Sequence, residues 1–454
     1  MTRRSARLLL VTVFAVAGCR AWRQADSAGL PGSDTTLPQL FDAATIYRQM
    51  GFIVSGPPLP FVASLRYLAA GADSTLGVFA LSLANQALSF RRDEDGFVAE
   101  YFVEVGMRPT AEGEGGARLA RQEAVRVRGF QETLRADESV IFQHFFTLAP
   151  GDYVVSVLVR DRNGPNVARQ EGKVAVPRFA GRGLSSVVPY YEGPGRRAAA
   201  DLPRLLLNPR ATLAYGGDSL RFYVEAYGAG ARHQLAARAT DMAGTLVWAD
   251  TVPLEGGAAL AAGRVALGVA QLPIGQARLA VRLVGSTDSA ATPLLVSFSD
   301  QWVITNFDQV TSLLRYFERP ELVRRLREAP PDERPALWRT FWKETDPVPL
   351  TPENEALNEY FRRVQTANGR FREEGDAGWL TERGEVFISL GEPDDVLDLS
   401  QEISRGGDRV IRWQYAAWRL TLFFRDQAGF GRFRLTPTSR AEYQRVLARV
   451  RRES

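Results

Sequence analysis

Cysteine and histidine are nearly missing from this chain of 454 residues, since Cys occurs once and His twice. A single cysteine excludes an internal disulfide framework and a cysteine-based zinc site, and two histidines exclude most histidine-dependent catalysis. Glycine and proline, 40 and 25 residues, are too few for a disordered or collagen-like chain. The length and a hydrophobic content of 45% predict a globular protein of two to four domains.

An excess of charge of one sign is also missing. Of the 56 basic residues, Arg3, Arg4 and Arg7 lie in a segment that we expect to be removed, which leaves 53 basic against 52 acidic residues. This balance gives no support to a nucleic-acid partner or to an anionic membrane surface as ligand. No cofactor is predicted either.

The N-terminus has the features of an exported protein. A basic start is followed by an apolar run, Leu8–Ala17, which as a helix spans only about 15 Å, half of the hydrocarbon core of a membrane. We therefore predict a signal peptide over residues 1–18. The run ends in Val16-Ala17-Gly18-Cys19, which resembles the lipobox of bacterial lipoproteins.

That resemblance implies that Cys19 becomes the mature N-terminus and carries about three fatty acyl chains such as palmitate, enough for stable anchoring. The alternative for Cys19 is a buried free cysteine. Because Arg20 follows it, we expect retention in the outer membrane of the cell envelope. Residues 19–59 are expected to form a tether with a short helix at Phe41–Met50, and no second run of 18 apolar residues follows.

Two β-rich modules are predicted next, over residues 60–178 and 202–300, joined by a linker at 179–201. Apolar residues alternate with polar ones in both, as in Tyr101-x-Val103-x-Val105, which predicts two tandem antiparallel β-sandwiches. A late hairpin repeats at a constant offset, with Gly151 and Tyr153 corresponding to Gly275 and Ala277. The modules resemble bacterial immunoglobulin-like domains, which are mostly spacers or binding surfaces.

Neither histidine belongs to a catalytic constellation in the sequence. His144 shares the parity of Phe142 and Phe146, which predicts a half-buried strand residue, and His233 lies beside a turn without a carboxylate nearby.

The C-terminal part, 301–454, changes to helical spacing after Trp302. Apolar residues three and four apart predict several helices, the last of them with Thr351 as N-cap and Pro352 in its first turn. We then expect an antiparallel meander with strands near 385–390, 409–415, 417–425 and 430–435, and a final helix from Ala441 to Arg451. The fold class is therefore β-rich plus α+β, with a helical segment and a small meander after the two sandwiches.

The segment "GWLTERGEVFISLGEPDDV", which begins at Gly378, resembles the GWxTD domain of envelope-associated bacterial proteins over roughly residues 301–440. Glu382 stands where that motif has aspartate, which favours a structural role because a catalytic group tolerates little displacement. We expect the motif positions to be structural; they are Gly378, Trp379, Thr381, Glu382, Arg383, Gly384, Gly391, Pro393 and Asp394. Trp379 is predicted to be a buried anchor, and the three glycines are predicted to permit positive φ angles.

Two functional hypotheses remain from the sequence, besides a purely structural spacer. The first is a lipid-anchored envelope protein without catalysis, which binds or organises an envelope protein partner. The alternative is an envelope enzyme, a hydrolase or a metal-dependent one, that uses Glu382, Asp394 or Asp395 near Trp379 and Arg383. The acidic cluster Glu392, Asp394, Asp395 and Asp398 offers oxygen ligands but lacks the spacing of a calcium loop, so no metal site is predicted.

Overall fold

A computed structural model describes most of the chain after residue 42. The described ranges are 43–71, 73–111, 116–135, 140–217, 219–229, 233–268, 272–298, 306–349, 353–373, 376–400 and 409–453. The predicted signal peptide, Cys19, Arg20 and the tether lie outside these residues, as do Trp302, Thr351 and Pro352. Within them, no helix is both long enough and apolar enough to cross a membrane.

The first sandwich is built from two antiparallel sheets. Its strands are β1 (Ile53–Ser55), β2 (Phe61–Ala69), β3 (Thr75–Leu83), β4 (Arg91–Asp93), β5 (Gly96–Pro109), β6 (Ala117–Val127), β7 (Val140–Leu148), β8 (Gly151–Asp161) and β9 (Val167–Val176). One sheet has the order β1-β2-β3-β7, and the other the order β4-β5-β8-β9 with β6 also paired to β5. Val103, Val105, Val155 and Val157 are fully buried between the sheets, as their alternation predicts.

The second sandwich is also formed by two sheets. Its strands are β10 (Gly183–Leu184), β11 (Val188–Gly195), β12 (Arg204–Leu207), β13 (Thr212–Ala214), β14 (Ser219–Tyr227), β15 (Gln234–Asp241), β16 (Leu246–Pro253), β17 (Glu255–Gly256), β18 (Leu260–Gly268), β19 (Gly275–Leu283) and β20 (Ser289–Ser297). One sheet has the order β12-β11-β14-β18-β17 with β10 on β14, and the other β13-β20-β19-β15-β16. The β13–β20 pair is parallel.

The two sandwiches share one topology, which confirms the tandem arrangement. The order β2-β3-β7 of the first corresponds to β11-β14-β18 of the second, and β6-β5-β8-β9 corresponds to β16-β15-β19-β20. The repeated hairpin of the sequence is β8 and β19, whose first residues Gly151 and Gly275 both have positive φ, 149° and 116°. A side chain at either position would be strained.

The sandwiches are not separated by a linker but pack directly against each other. The segment predicted to be a linker, 179–201, contributes β10 and β11 to the second sandwich. Val78 and Ala80 of β3 pack on Val188 and Tyr190 of β11. All nine residues of β3 are buried, because this strand faces the core of its own sandwich on one side and the second sandwich on the other.

A short helix, α1 (Ala43–Gln49), precedes the first strand where we expected one. Tyr47 packs with Ala211 and Leu295 of the second sandwich, and its hydroxyl lies 2.7 Å from the Thr212 hydroxyl. The described chain therefore begins at the junction of the two sandwiches. A second short helix, α2 (Phe130–Thr133), lies between β6 and β7.

Helices and a four-stranded meander form the C-terminal part. The elements are α3 (Phe307–Leu313), α4 (Pro320–Glu328), α5 (Arg334–Thr345), α6 (Glu355–Arg370), α7 (Glu382–Leu390), β21 (Asp395–Asp398), β22 (Arg409–Tyr415), β23 (Leu420–Asp426), β24 (Arg434–Leu435) and α8 (Pro437–Glu453). The meander keeps the sequential order β21-β22-β23-β24. Phe298, directly after β20, packs on Trp338 of α5 with ring centroids 4.5 Å apart, so this part shares a continuous core with the second sandwich.

Two predictions for this region were wrong. Residues 385–390, predicted as a strand, belong to α7, and the meander starts at Asp395 instead. Helix α6 begins at Glu355 and is capped by Asn354, whose side chain accepts a hydrogen bond from the Leu357 amide at 2.9 Å, rather than by Thr351.

Candidate functional site

The motif begins with a tight turn, and Thr381 connects this turn to α7 by two hydrogen bonds. Its hydroxyl donates to the Gly378 carbonyl at 2.8 Å and accepts from the Gly384 amide at 3.0 Å, which makes Thr381 the N-cap of the helix. A Cβ atom on Gly384 would lie 2.0 Å from the Gly378 carbonyl oxygen, and one on Gly378 would lie 2.3 Å from that of Ala367. These two glycines are thus required by close packing.

The prediction of positive φ was therefore wrong for Gly378 and Gly384 but correct for Gly391. Gly391 ends α7 with φ 85°, and its carbonyl accepts a hydrogen bond from the Tyr415 hydroxyl at 3.1 Å. Pro393, two residues on, is buried.

Glu382 joins the motif helix to the end of the chain. Its carboxylate accepts a hydrogen bond from the Leu435 amide at 2.6 Å and a second from the Arg440 guanidinium. The side chain is 18% exposed. The glutamate in place of aspartate therefore ties α7 to β24 and α8, and both of its oxygens are engaged.

Arg383 forms an ion pair with Glu373, a carboxylate that was not predicted from the sequence. Glu373 has a fully buried side chain, and its carboxylate accepts from Arg383 at 3.3 Å, from Arg434 at 3.2 Å and from the Phe433 amide at 3.2 Å. Burial raises the pKa of Glu373 and lowers the pKa of Arg383. The Arg383 guanidinium also stacks on the Phe433 ring, 4.3 Å from its centroid.

Glu385 is the second carboxylate that the sequence analysis passed over. It lies on α7 one turn after Glu382. Burial is the largest effect on the pKa of Glu385 and raises it; a hydrogen bond from Tyr443 lowers this pKa, and the negative charge of Glu382 raises it. The Tyr443 hydroxyl also lies 3.1 Å from the Ser389 hydroxyl. Glu382, Glu385 and Ser389 lie on one face of α7 and meet Arg440 and Tyr443 of α8; we call this contact the polar seam. The spacing of the three α7 residues is the feature of the sequence that could have indicated it.

Trp379 differs from its predicted role as a buried anchor. Its ring is only partly buried against the core, and the Arg315 guanidinium lies 4.9 Å from the ring centroid. The next residue, Leu380, is 43% exposed. Trp379, Leu380 and Arg315 together present an aromatic, apolar and cationic group at the surface, which we call the Trp379 surface.

The acidic cluster is divided among separate partners. Asp394 accepts from the Ala416 amide at 2.6 Å and Asp395 pairs with Arg412 at 2.8 Å. Glu392 pairs with Arg370 at 2.6 Å, and Asp398 accepts from Ser400. Among the residues that the structure describes, no group of three or more His, Cys, Asp or Glu side chains is placed to hold a metal ion.

The arrangement thus does not join Glu382 and Arg383 to Asp394 or Asp395. Glu382 and Arg383 bind β24, α8 and Glu373, whereas Asp394 and Asp395 bind the β22–β23 hairpin. His144 lies in β7, half-buried as predicted, with its ring 4.8 Å from that of Phe146.

Comparisons with known proteins agree with the motif. No curated protein matches the chain. Among solved structures, the chain is similar to trypsin-activated alpha-2-macroglobulin from Escherichia coli, at 11% identity and a TM-score of 0.18, over 53% of this chain and 17% of that one. The matched part therefore spans about a sixth of that protein. Residues 283–420 match the sequence profile of the GWxTD domain, from the end of β19 to the start of β23, and the chain is a GWxTD domain-containing protein.

Proposed function

We propose that this chain is a lipid-anchored protein of the cell envelope whose GWxTD domain binds another envelope component and performs no catalysis. The observation that carries the proposal is how the polar side chains of the motif are used. Thr381 caps α7, Glu382 holds Leu435 and Arg440, and Arg383 holds the buried Glu373. Each of them is engaged in stabilising the fold.

The Trp379 surface is the part of the motif left for contact with a partner. Partly exposed tryptophan and arginine side chains are the residue types enriched at the energetic centres of protein interfaces. Leu380, exposed beside them, adds apolar area. A partner that covers this surface would stack on the Trp379 ring and displace water from Leu380.

The anchor would be Cys19, and the lipobox resemblance supports it. An acylated Cys19 places the folded body on a membrane through a segment of some twenty residues before α1, and Arg20 favours the outer membrane. The enzyme alternative is less favoured, because Asp394 and Asp395 are exposed, are held by the β22–β23 hairpin and share no hydrogen-bond partner with Glu382 within the described residues.

Purification of the lipidated full-length protein from its own cells in mild detergent tests the binding role. We expect a stoichiometric partner in the wild-type preparation, and we expect Trp379→Ala and Arg315→Ala to lose it while remaining folded. Met242→Ala, which removes a side chain 74% exposed on the second sandwich, is the control and should retain the partner. Retention of the partner by Trp379→Ala contradicts the proposed surface.

A further inference from the structure

The first sandwich contains a cleft that its core does not fill. It has a volume of about 230 Å³ and lies between the edge strands β6 and β7, which belong to opposite sheets. Tyr101 of β5, Arg121 and Glu123 of β6, and Phe142 and His144 of β7 contribute to its wall. This volume is below the ~300–1,000 Å³ of common ligand pockets, so it has room for one ring-sized group.

The polar groups of this cleft converge without binding one another. Tyr101 as a whole is only 4% exposed, but its hydroxyl forms no hydrogen bond within the described residues and opens into the cleft, where water can reach it. Glu123 is the cross-strand neighbour of Tyr101, and Arg121 is the neighbour of Val103, so both lie on the side of the sheet that faces the core. At this edge strand Glu123 is half-buried, and Arg121 is exposed at the mouth of the cleft. Neither Arg121 nor Glu123 has an ion-pair partner in the described part of the chain.

Water or a ligand must therefore supply the hydrogen-bond partner of the Tyr101 hydroxyl. The cleft also carries one basic and one acidic group, and burial followed by the Arg121 charge lowers the pKa of His144, which keeps its imidazole neutral near pH 7. The cleft therefore selects neither a strong anion nor a strong cation.

An added peptide strand is disfavoured at this position. Charged residues that point inward from an edge strand are a common device against strand addition, and Arg121 and Glu123 are placed in that way on β6. A ligand that donates and accepts hydrogen bonds from the same atoms fits the cleft better, because its wall contains a donor, Arg121, an acceptor, Glu123, and the Tyr101 hydroxyl, which can do both.

We infer that this cleft binds a single neutral sugar unit, with hydroxyl groups of the sugar bonded to Tyr101, Arg121 and Glu123 and its ring against Phe142 and His144. Sugar hydroxyls both donate and accept, which satisfies a guanidinium, a carboxylate and a phenol at once. The site belongs to the first sandwich and depends neither on the Trp379 surface nor on the anchor. Its ligand would be one unit of a glycan chain, held with weak affinity near Kd of about 1 mM.

The two histidines make the test direct, since one reports on the cleft and the other is a built-in control. The full-length protein in detergent, with ¹³Cε1-labelled histidine, is titrated with glucose, glucosamine and glucuronate while the imidazole resonances of His144 and His233 are followed. We expect glucose to shift His144 saturably and to leave His233 unchanged, with weaker responses to the two charged sugars.

Variants separate a sugar site from simple edge protection. Tyr101→Phe removes only the hydroxyl and should raise the Kd about fivefold, as should Arg121→Gln. Arg169→Gln, on a side chain 64% exposed in the same sheet, is the matched control and should leave the Kd unchanged. No His144 shift with any of the sugars overturns the inference, and so does a Kd that Tyr101→Phe leaves unaltered or a response to extended peptides alone.

Discussion

The guanidinium of Arg196 and the carboxylate of Glu225 form a bidentate ion pair, with both nitrogen–oxygen distances 2.8 Å and neither side chain exposed. Arg196 also donates to the Ala69 carbonyl at 2.5 Å, and Glu225 accepts from the Tyr227 hydroxyl at 2.5 Å. Because Ala69 belongs to β2 and Glu225 to β14, this network fixes one sandwich against the other. The two repeated modules are thus joined by a buried, hydrogen-bonded ion pair.

Breaking this pair should be strongly destabilising. Glu225→Gln or Arg196→Met leaves the other charge buried without its partner, and we expect a loss of about 3–5 kcal/mol in the free energy of unfolding, measured by denaturant titration. Glu255→Gln is the control, since Glu255 pairs with Arg264 at 2.6 Å but is 71% exposed, and it should cost below about 1 kcal/mol. Equal effects of the two variants would contradict the structural role of the buried pair.

Gly384 should tolerate no side chain. A Cβ atom there meets the Gly378 carbonyl oxygen at 2.0 Å, so Gly384→Ala should destabilise the protein by about 3 kcal/mol through overpacking. Gly369 offers a matched control on the neighbouring helix, since it lies in α6 and a Cβ atom there meets nothing within 4 Å. Gly369→Ala should stabilise by about 0.5–1 kcal/mol, and opposite signs for the two variants are the diagnostic result.

Restoring the aspartate of the family motif should weaken this chain. Glu382→Asp shortens the side chain by one methylene, so its carboxylate no longer reaches the Leu435 amide, now at 2.6 Å. We expect a loss of about 1 kcal/mol in thermal or denaturant unfolding. Glu321→Asp, at an ion-paired glutamate 75% exposed on α4, should be neutral. A Glu382→Asp variant more stable than the wild type would contradict the claim that Glu382 stabilises the fold through its hydrogen bond to β24.

The polar seam between α7 and α8 should depend on pH. Burial raises the pKa of Glu385 in the folded state above its ordinary value of 4.5, so the contribution of this group is fully present below that pH and is lost as pH rises through the folded-state pKa. Glu385→Gln should therefore stabilise the protein at pH 7 relative to the wild type and change it little near pH 4. A wild-type advantage at pH 7 would contradict this sign.

The sequence predicted the sandwiches well because alternation is strict where one sheet face meets one core. Val103 and Val105 face inward for that reason. β3 does not follow this rule, since all nine of its residues are buried. Its outer face is covered by the second sandwich, and a strand buried on both faces shows no alternation in the sequence. The strands inside the expected linker were also not predicted. β11 pairs with β14, some 30 residues further along the chain, and such a pairing cannot be inferred from the local sequence.

The site was predicted in part. Thr381 as a structural residue is consistent with its N-cap bonds, but the run Glu385–Ile388 was interpreted as a strand because four residues do not distinguish a strand from a buried helical turn. Glu373 could not be found from the sequence, since Arg383 belongs to α7 and the other two partners, Phe433 and Arg434, lie some 60 residues further along at the start of β24.

Fractionation of cells that produce the wild-type chain and Cys19→Ala at equal levels tests the anchored envelope role most directly. We predict that the wild type sediments with the outer membrane, is released by detergent and not by salt, and begins at an acylated Cys19 in mass spectrometry. Cys19→Ala should lose the acyl mass and the detergent-dependent release. A wild-type protein that remains soluble without detergent, or one whose Cys19 carries no lipid, would contradict the proposed anchor.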